Sequence, residues 1–291
     1  MIVKKAIFPV AGLGAHFLPA TKTIPKEMMP IVDMPLIQYA VNEAVEAGIT
    51  ELIFVTNTRK RAIEDYFDTN LELEDNLFKS NKYELLNLIR NILPRDVSCC
   101  YIHQSSAQGL GHAVLCAKNM IGNEPFAVLL ADDLIETTTH SCLQQLLANF
   151  KVTQSSIVAV QPIALSEVKK HGIIAMPPGN AILAKINGII EKPSQASAPS
   201  NMAVIGRYIL TPSIFTLLET IQKDSEHKIQ LTDAIAKLLL EEPVYSLQFE
   251  GRRFDCGSKL GYLEATVAWA LKHPTLAEDF KTIARKVLAL Q

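Results

Sequence analysis

An α/β fold with a doubly wound, mostly parallel mixed sheet is what the sequence predicts, and three observations predict it. Short apolar runs recur through the first half: AIFPV (6–10), LIFVT (52–56), CCYIH (99–103) and FAVLLAD (126–132). Helix-like stretches separate these runs, the arrangement of a parallel sheet covered on both faces. The first run empties straight into Gly12-Leu13-Gly14, a glycine-rich turn at the end of a buried strand.

Taken in order, the first strand and its turn are followed by a helical pattern through Leu36, Ala40, Val41, Ala44 and Val45 that stops at Gly48. After the strand at 52–56 comes a short helix at 61–67. A polar insertion, residues 68–96, is mostly helical by its Leu77, Leu85, Leu86, Leu88 and Ile89, and reads as a surface excursion or a subunit contact. The strand at 99–103 leads to a helix at 112–120, and a fourth strand occupies 126–132. Past residue 150 the pattern shifts to strands at 155–163, 172–176 and 202–210, with a strand-like patch at 184–191 inside a stretch (178–201) rich in Pro, Ser, Ala and Asn. Helices are expected at 212–223 and 231–242, a strand at 244–250, and helices at 259–272 and 275–289. The leucine-rich segments 235–240 and 261–272 read as core. No internal repeat appears, and a mixed sheet growing out of the first half makes residues 1–291 one domain.

Bulk properties narrow the function. The 291-residue chain carries 28 basic and 30 acidic side chains, a net charge of −2. There is no basic excess with which to neutralise a nucleic-acid backbone, so no nucleic-acid partner is expected. A small anionic ligand needs only a few local cations. The longest apolar runs fall far below the ~20 residues of a membrane span, so no membrane partner is expected either. Lys4-Lys5 before AIFPVAGLGA imitates a short secretory signal, but Pro9, Gly12 and Gly14 interrupt it, and it reads as strand and turn. Five irregularly spaced cysteines without a C-x-x-C signal neither disulfides nor zinc and fit a reducing, cytoplasmic setting. Cys99-Cys100 with His103 reads as strand rather than metal site.

The chemistry concentrates after the first strand. In Gly12-Leu13-Gly14 the missing side chains let backbone N–H groups approach an anion. The third glycine of a dinucleotide fingerprint is absent, Phe17 standing there, and no G-K-[ST] comes after it. Instead the chain continues as L-P-A-T-K-x-x-P-K-E-M-x-P. Prolines 19, 25 and 30 preclude a regular helix and make a stiff, extended loop that could hold Lys22 and Lys26 over a polyphosphate. An ordinary exposed loop has the same composition, and Asp132-Asp133 at a strand end could equally be a turn.

The whole pattern G-L-G-x-x-F-L-P-A-T-K-x-x-P-K-E-M-x-P-I-V-D-x-P-x-I-Q-Y resembles the start of the bacterial UTP–glucose-1-phosphate uridylyltransferases, members of the sugar-nucleotide pyrophosphorylases. The likeness recurs in QGLGHAVLCA (108–117), VLLADDLI (128–135), HGIIA (171–175), IIEKP (189–193), SNMAVIGRYIL (200–210), IQLTDAI (229–235) and FDCGSKLGYLEA (254–265). The blocks keep the family's order from residue 6 to about 272. The resemblance implies a Rossmann-like nucleotidyltransferase fold, with 1–150 as nucleotide-binding part, 151–257 as sugar-phosphate-binding extension and 258–291 as C-terminal helices. It implies Mg²⁺ as cofactor, held by Asp132 and Asp255; hard oxygen ligands suit that ion. By the same resemblance Lys26 contacts the nucleotide's phosphates and Lys192 grips the sugar phosphate. Gly172 and Glu191 contact the sugar. Gln104 and Gly109 read the uracil edge, with Ala11, Gly12, Gly14 and Glu27 completing the nucleotide side. Gln104 can both donate and accept, which suits an imide and a carbonyl. His103, His112 and His171 are given packing or supporting roles. The substrates implied are UTP and glucose 1-phosphate, and the assembly a homodimer or homotetramer.

One residue departs from the family. Its loop usually reads G-L-G-T-R, and here the positions read G-L-G-Ala15-His16. An arginine is permanently charged and forks onto two phosphate oxygens, whereas a histidine near pH 7 is partly charged and donates singly. Losing one such contact in the transition state costs on the order of 2–4 kcal/mol, about tenfold to a thousandfold in rate. Three expectations therefore stand: a working uridylyltransferase with His16 in its catalytic loop, a weakly active paralogue that modulates a uridylyltransferase partner, or the same chemistry with dTTP or another sugar 1-phosphate.

Overall fold

Phe8, Phe54 and Phe126 are almost wholly buried, and they mark where the sheet lies. The computed structural model describes residues 2–177, 179 and 181–290; Pro178 and Asn180, in the stretch rich in Pro and Asn, lie outside the described residues. In chain order the strands are β1 (Lys5–Pro9), β2 (Pro30–Ile31), β3 (Met34–Pro35), β4 (Glu51–Thr56), β5 (Ser98–His103), β6 (Phe126–Leu129), β7 (Asp133–Glu136), β8 (Ile157–Pro162), β9 (Gly172–Ala175), β10 (Leu183–Lys185), β11 (Gly188–Glu191), β12 (Met202–Leu210), β13 (Tyr245–Gln248) and β14 (Arg252–Asp255). The helices are α1 (Leu36–Glu46), α2 (Arg61–Phe67), α3 (Leu71–Lys79), α4 (Tyr83–Arg90), α5 (Leu110–Cys116), α6 (Lys118–Ile121), α7 (Cys142–Thr153), α8 (Ser213–Leu218), α9 (Leu231–Leu238), α10 (Lys259–Ala270) and α11 (Ala277–Leu288).

The main sheet runs β10-β13-β8-β12-β6-β1-β4-β5, with β9 and β11 attached beside β12. Its first half, β6-β1-β4-β5, is wholly parallel. Around β12 it turns antiparallel, which makes the sheet mixed. Successive residues of β1 and β4 face opposite ways: Ala6, Phe8, Leu52 and Phe54 enter one apolar cluster, while Ile7, Ile53 and Val55 enter the other. Helices α1 and α7 cover the first face; α5, α8 and α9 cover the second. This double covering is what the unbroken apolar runs required. Strand order reverses between β1 and β6, and in such sheets ligands bind in the crevice outside the carboxyl ends of the strands at that point. The glycine turn follows β1 there, and Asp132 follows β6.

Several expectations need correction. The loop 12–30 is compact rather than extended: three 3₁₀ turns, Ala15–Phe17, Ala20–Lys22 and Lys26–Met28, fold it up. Prolines forbid a long helical ladder, but single turns such as Lys22 N–H to Pro19 O (3.0 Å) and Met28 N–H to Pro25 O (2.9 Å) survive them. The run 126–132 is not one strand. The buried Arg207 guanidinium takes the carbonyls of Leu130 and Asp133, each at 2.9 Å, and turns the chain out of the sheet into β7. The patch 184–191 splits into β10 and β11, and the helix expected at 212–223 ends at Leu218. The segment 261–272 is not core throughout. In α10 Gly261 and Ala265 face inward beside the half-buried Tyr262 and Trp269, so Leu263 and Val267 stand exposed on the opposite face, and Leu271, just past the helix, is exposed too. Insertion 68–96 is the helix pair α3–α4, a surface excursion in which only Leu86 among the helical residues is buried.

Candidate active site

The crevice opens into a cavity of about 700 Å³. Its first wall is the glycine turn. Gly14 has φ +64, and a Cβ there would lie 3.2 Å from Lys26 Cβ, so glycine lets the two limbs of the loop touch. Thr21 Oγ1 donates to Gly14 O at 2.7 Å and closes the loop. His16, exposed, and Lys26 line the cavity from this side. The Lys26 ammonium lies 2.5 Å from Asp132 Oδ2. Burial pushes this lysine down, yet Asp132, then Glu27, outweigh it and hold it above its ordinary range. Burial also opposes the Asp132 charge, and Lys26 more than offsets that, leaving the carboxyl below its ordinary range.

Asp132 is joined by Asp255 through a small antiparallel ribbon, β7–β14, in which Asp255 opposes Asp133. The ribbon is fastened by Cys256 N–H to Asp132 O at 2.8 Å and by an ion pair between Arg253 and Asp133. Arg253 also reaches within 3.8 Å of Asp255 Oδ1. A Cβ on Gly257 would sit 3.1 Å from Asp255 Oδ1 and 3.2 Å from Asp132 Oδ2. Glycine thus keeps open a gap that both carboxylates face. Two oxygen donors over an open gap beside the glycine turn fit a hard divalent cation, which takes its remaining ligands from phosphate and water.

The second wall comes from β9, β11 and α9. Gly172, Glu191 and Lys192 all line the cavity, together with His171 and Thr232. Thr232 Oγ1 donates to Glu191 Oε2 at 3.0 Å; burial pushes that carboxyl up. Lys192 sits with φ +44, a strained conformation for a lysine, pinned by its N–H to His171 O at 3.0 Å. Its ammonium is half exposed and 3.8 Å from Glu191 Oε1, free to meet an anion. Burial pushes the His171 imidazole down, so it adds no full charge at neutral pH.

The remaining expected residues lie outside the cavity lining. Ala11 and Gly12 follow β1, with Ala11 O accepting from Asn57 Nδ2 at 2.7 Å. Gln104 and Gly109 stand between β5 and α5, their side chain and carbonyl 3.3 Å apart. Next in sequence, Leu110 does line the cavity. Glu27 is buried and paired with Lys60 at 2.5 Å, outside the cavity lining. Lys22 is exposed and apart from Lys26. Arg253 and Thr232 were not anticipated. The signal for Arg253 lay in G-R-R-F-D-C-G, a fixed cation two residues before an expected ligand.

A glycine turn bearing Lys26, two carboxylates over an open gap and a second lysine on the far wall make up the arrangement that nucleotidyl transfer calls for. The family model described as Nucleotidyl transferase matches residues 5–270. A UTP–glucose-1-phosphate uridylyltransferase of Bacillus subtilis is 48% identical over 277 residues, 95% of this chain and 94% of the relative. One of Staphylococcus epidermidis is 45% identical over 285 residues, covering 98% of both. A solved structure described as UTP-bound UGPase from Acinetobacter baumannii superposes with a TM-score of 0.92 at 43% identity, covering 100% of both chains. The chain belongs to the nucleotidyl transferase family, among the UTP–glucose-1-phosphate uridylyltransferases.

Proposed function

We propose that the chain converts UTP and α-D-glucose 1-phosphate to UDP-glucose and diphosphate, with Mg²⁺ as cofactor. The observation that carries this is the single cavity shared by Lys26, Asp132, Asp255 and Lys192. A phosphate oxygen of glucose 1-phosphate attacks the α-phosphorus of UTP in line. A new P–O bond forms as the bond to the leaving diphosphate breaks, so no covalent enzyme intermediate and no general base are needed. Lys192 holds the sugar phosphate, and Gly172 and Glu191 meet the sugar. Lys26, with His16, meets the triphosphate, and Ala11, Gly12, Gln104 and Gly109 take the nucleoside. Asp132 and Asp255 would hold the magnesium ion, which when bound screens charge on the phosphates. Arg253, paired with Asp133 and 3.8 Å from Asp255 Oδ1, fastens the ribbon that carries both carboxylates. Positioning and charge neutralisation are the means by which two anions are brought to react.

A second reading keeps the ligand and loses the rate: His16 stands on the cavity wall where a fixed, forked cation would serve better. Diphosphate release from UTP, glucose 1-phosphate and Mg²⁺, measured for wild type beside His16→Arg, decides between them. Wild type within about tenfold of the variant, ~1.4 kcal/mol of barrier, marks a working enzyme. A silent wild type beside an active variant marks a binding paralogue that regulates a uridylyltransferase partner. Turnover with dTTP or another sugar 1-phosphate in the same assay tests the third expectation. We also propose a homodimer or homotetramer, and a cytoplasmic setting supported by five free thiols. No helix among the described residues is long and apolar enough to cross a membrane.

A further inference from the structure

Gln104 follows β5 at the carboxyl edge of the sheet, its N–H bonded to Thr56 O at 2.8 Å and its side chain buried. Two neighbours fix its amide. Gly109 O lies 3.3 Å from Nε2, and His112 Nδ1 lies 2.8 Å from the same atom. A backbone carbonyl only accepts, so the end of the amide at Gly109 is its NH₂ group. The second hydrogen of that group points to His112 Nδ1, which must then accept, and the ring proton belongs on Nε2.

The surroundings keep this arrangement rigid. Gly109 has φ +92, and a Cβ there would lie 2.7 Å from Ile229 O, so only glycine fits, while Ile229 N–H bonded to Gln108 O at 2.7 Å ties the neighbouring backbone down. Burial first, and then the Lys223 ammonium, hold the His112 imidazole below its ordinary range and so in the neutral form that can accept. Among the described residues Gln104 Oε1 accepts no hydrogen bond; both side-chain bonds of Gln104 run through Nε2. Gln38 Oε1 is the sole buried side-chain polar atom without a partner among the described residues, so Gln104 Oε1 keeps contact with solvent.

We propose that His112 is a positioning residue for base selection: by accepting from Gln104 Nε2 it locks the amide so that a lone carbonyl oxygen faces the base. This rests on the reading that Gln104 stands at the nucleoside. A lone acceptor selects a base edge that carries an N–H, as the imide of uracil or thymine does. The ring N3 of cytosine is itself an acceptor, so two lone pairs would face each other. With His112's acceptor removed, the amide keeps a single pin at Gly109 and can turn its NH₂ toward the ligand, which cytosine satisfies.

The test is calorimetric binding of UTP and of CTP to the full chain in Mg²⁺ buffer without sugar phosphate, so that it is independent of turnover. Wild type is expected to favour UTP by about tenfold or more. H112F should bring the two affinities within about threefold, whereas H112N, whose Oδ1 replaces Nδ1 as acceptor, should keep most of the preference. H112Q, polar and compatible with the helix, removes the acceptor from that place as well and carries the same expectation if H112F does not fold. A wild-type preference that survives in H112F, or in H112Q, with an unchanged thermal midpoint overturns the proposal. Equal wild-type affinity for the two nucleotides overturns it too. A protein that prefers UTP through His112 yet makes no UDP-glucose would remove the proposed activity and leave this inference standing.

Discussion

Glu27 and Lys60 form a buried ion pair outside the cavity lining, 1% and 4% exposed. Burial pushes the carboxyl up and the ammonium down, so each depends on the other to stay charged. The pair ties the turn bearing Lys26 to the loop after β4. Three residues earlier in that loop Asn57 holds Ala11 O, so one segment braces both ends of the phosphate loop. K60M leaves a buried carboxylate without a partner and should cost about 3–5 kcal/mol in urea unfolding. E27Q/K60M should cost clearly less than K60M alone, because no bare charge remains. A K60M protein as stable as wild type would show that the pair does not brace the loop. Lys26, Lys192 and the two aspartates stood out in the sequence because they fall in blocks that resemble the uridylyltransferases; residue type alone left Lys26 in an ordinary loop and Asp132 in a turn. Lys60 did not: in N-T-R-K-R nothing separates the one buried cation from its exposed neighbours Arg59 and Arg61.

The β7–β14 ribbon is the element on which the two carboxylates depend. Its cross-strand partners include Arg252 with Glu136 and Asp255 with Asp133, so its strands are rich in charge. That is why β1, β4 and β8 were legible as apolar runs, while β14 showed only as a strand-like end at Asp255: strands outside the doubly covered sheet bury too little to show a strong pattern. Gly257, just past the ribbon, carries the clearest test of the proposed cation site. G257A places a methyl group 3.1–3.2 Å from both carboxylate oxygens. The magnesium concentration for half-maximal rate should rise about tenfold, the scale on which residues supporting metal ligands act. Unfolding stability should change by about 1 kcal/mol or less, since the methyl enters an open gap. An unchanged magnesium titration would remove Asp132 and Asp255 from the proposed metal site.

For the molecule as a whole, the doubly wound sheet and its crevice were predictable because burial on both faces leaves long apolar runs in the chain. What lies outside α10 was not predictable, since a stripe of Leu263, Val267 and Leu271 reads the same whether it faces the core or solvent. Ile283 and Val287 of α11 are exposed too, and exposed apolar side chains of this kind support the proposal that the chain assembles with itself. Light scattering should give a multiple of the 32.1 kDa chain mass. V267E/I283E should shift that mass toward the monomer, and a wild-type monomer would rule assembly out. The ribbon has one more consequence, which concerns the making of the protein. Arg253 and Asp133, the pair that fastens it, lie 120 residues apart. During synthesis the glycine turn, Lys26 and Asp132 leave the ribosome while Asp255 is still unmade. A nascent chain can therefore fold its parallel strands and their phosphate loop before it owns a second carboxylate. Reactivity arrives last, with nearly the whole chain already translated.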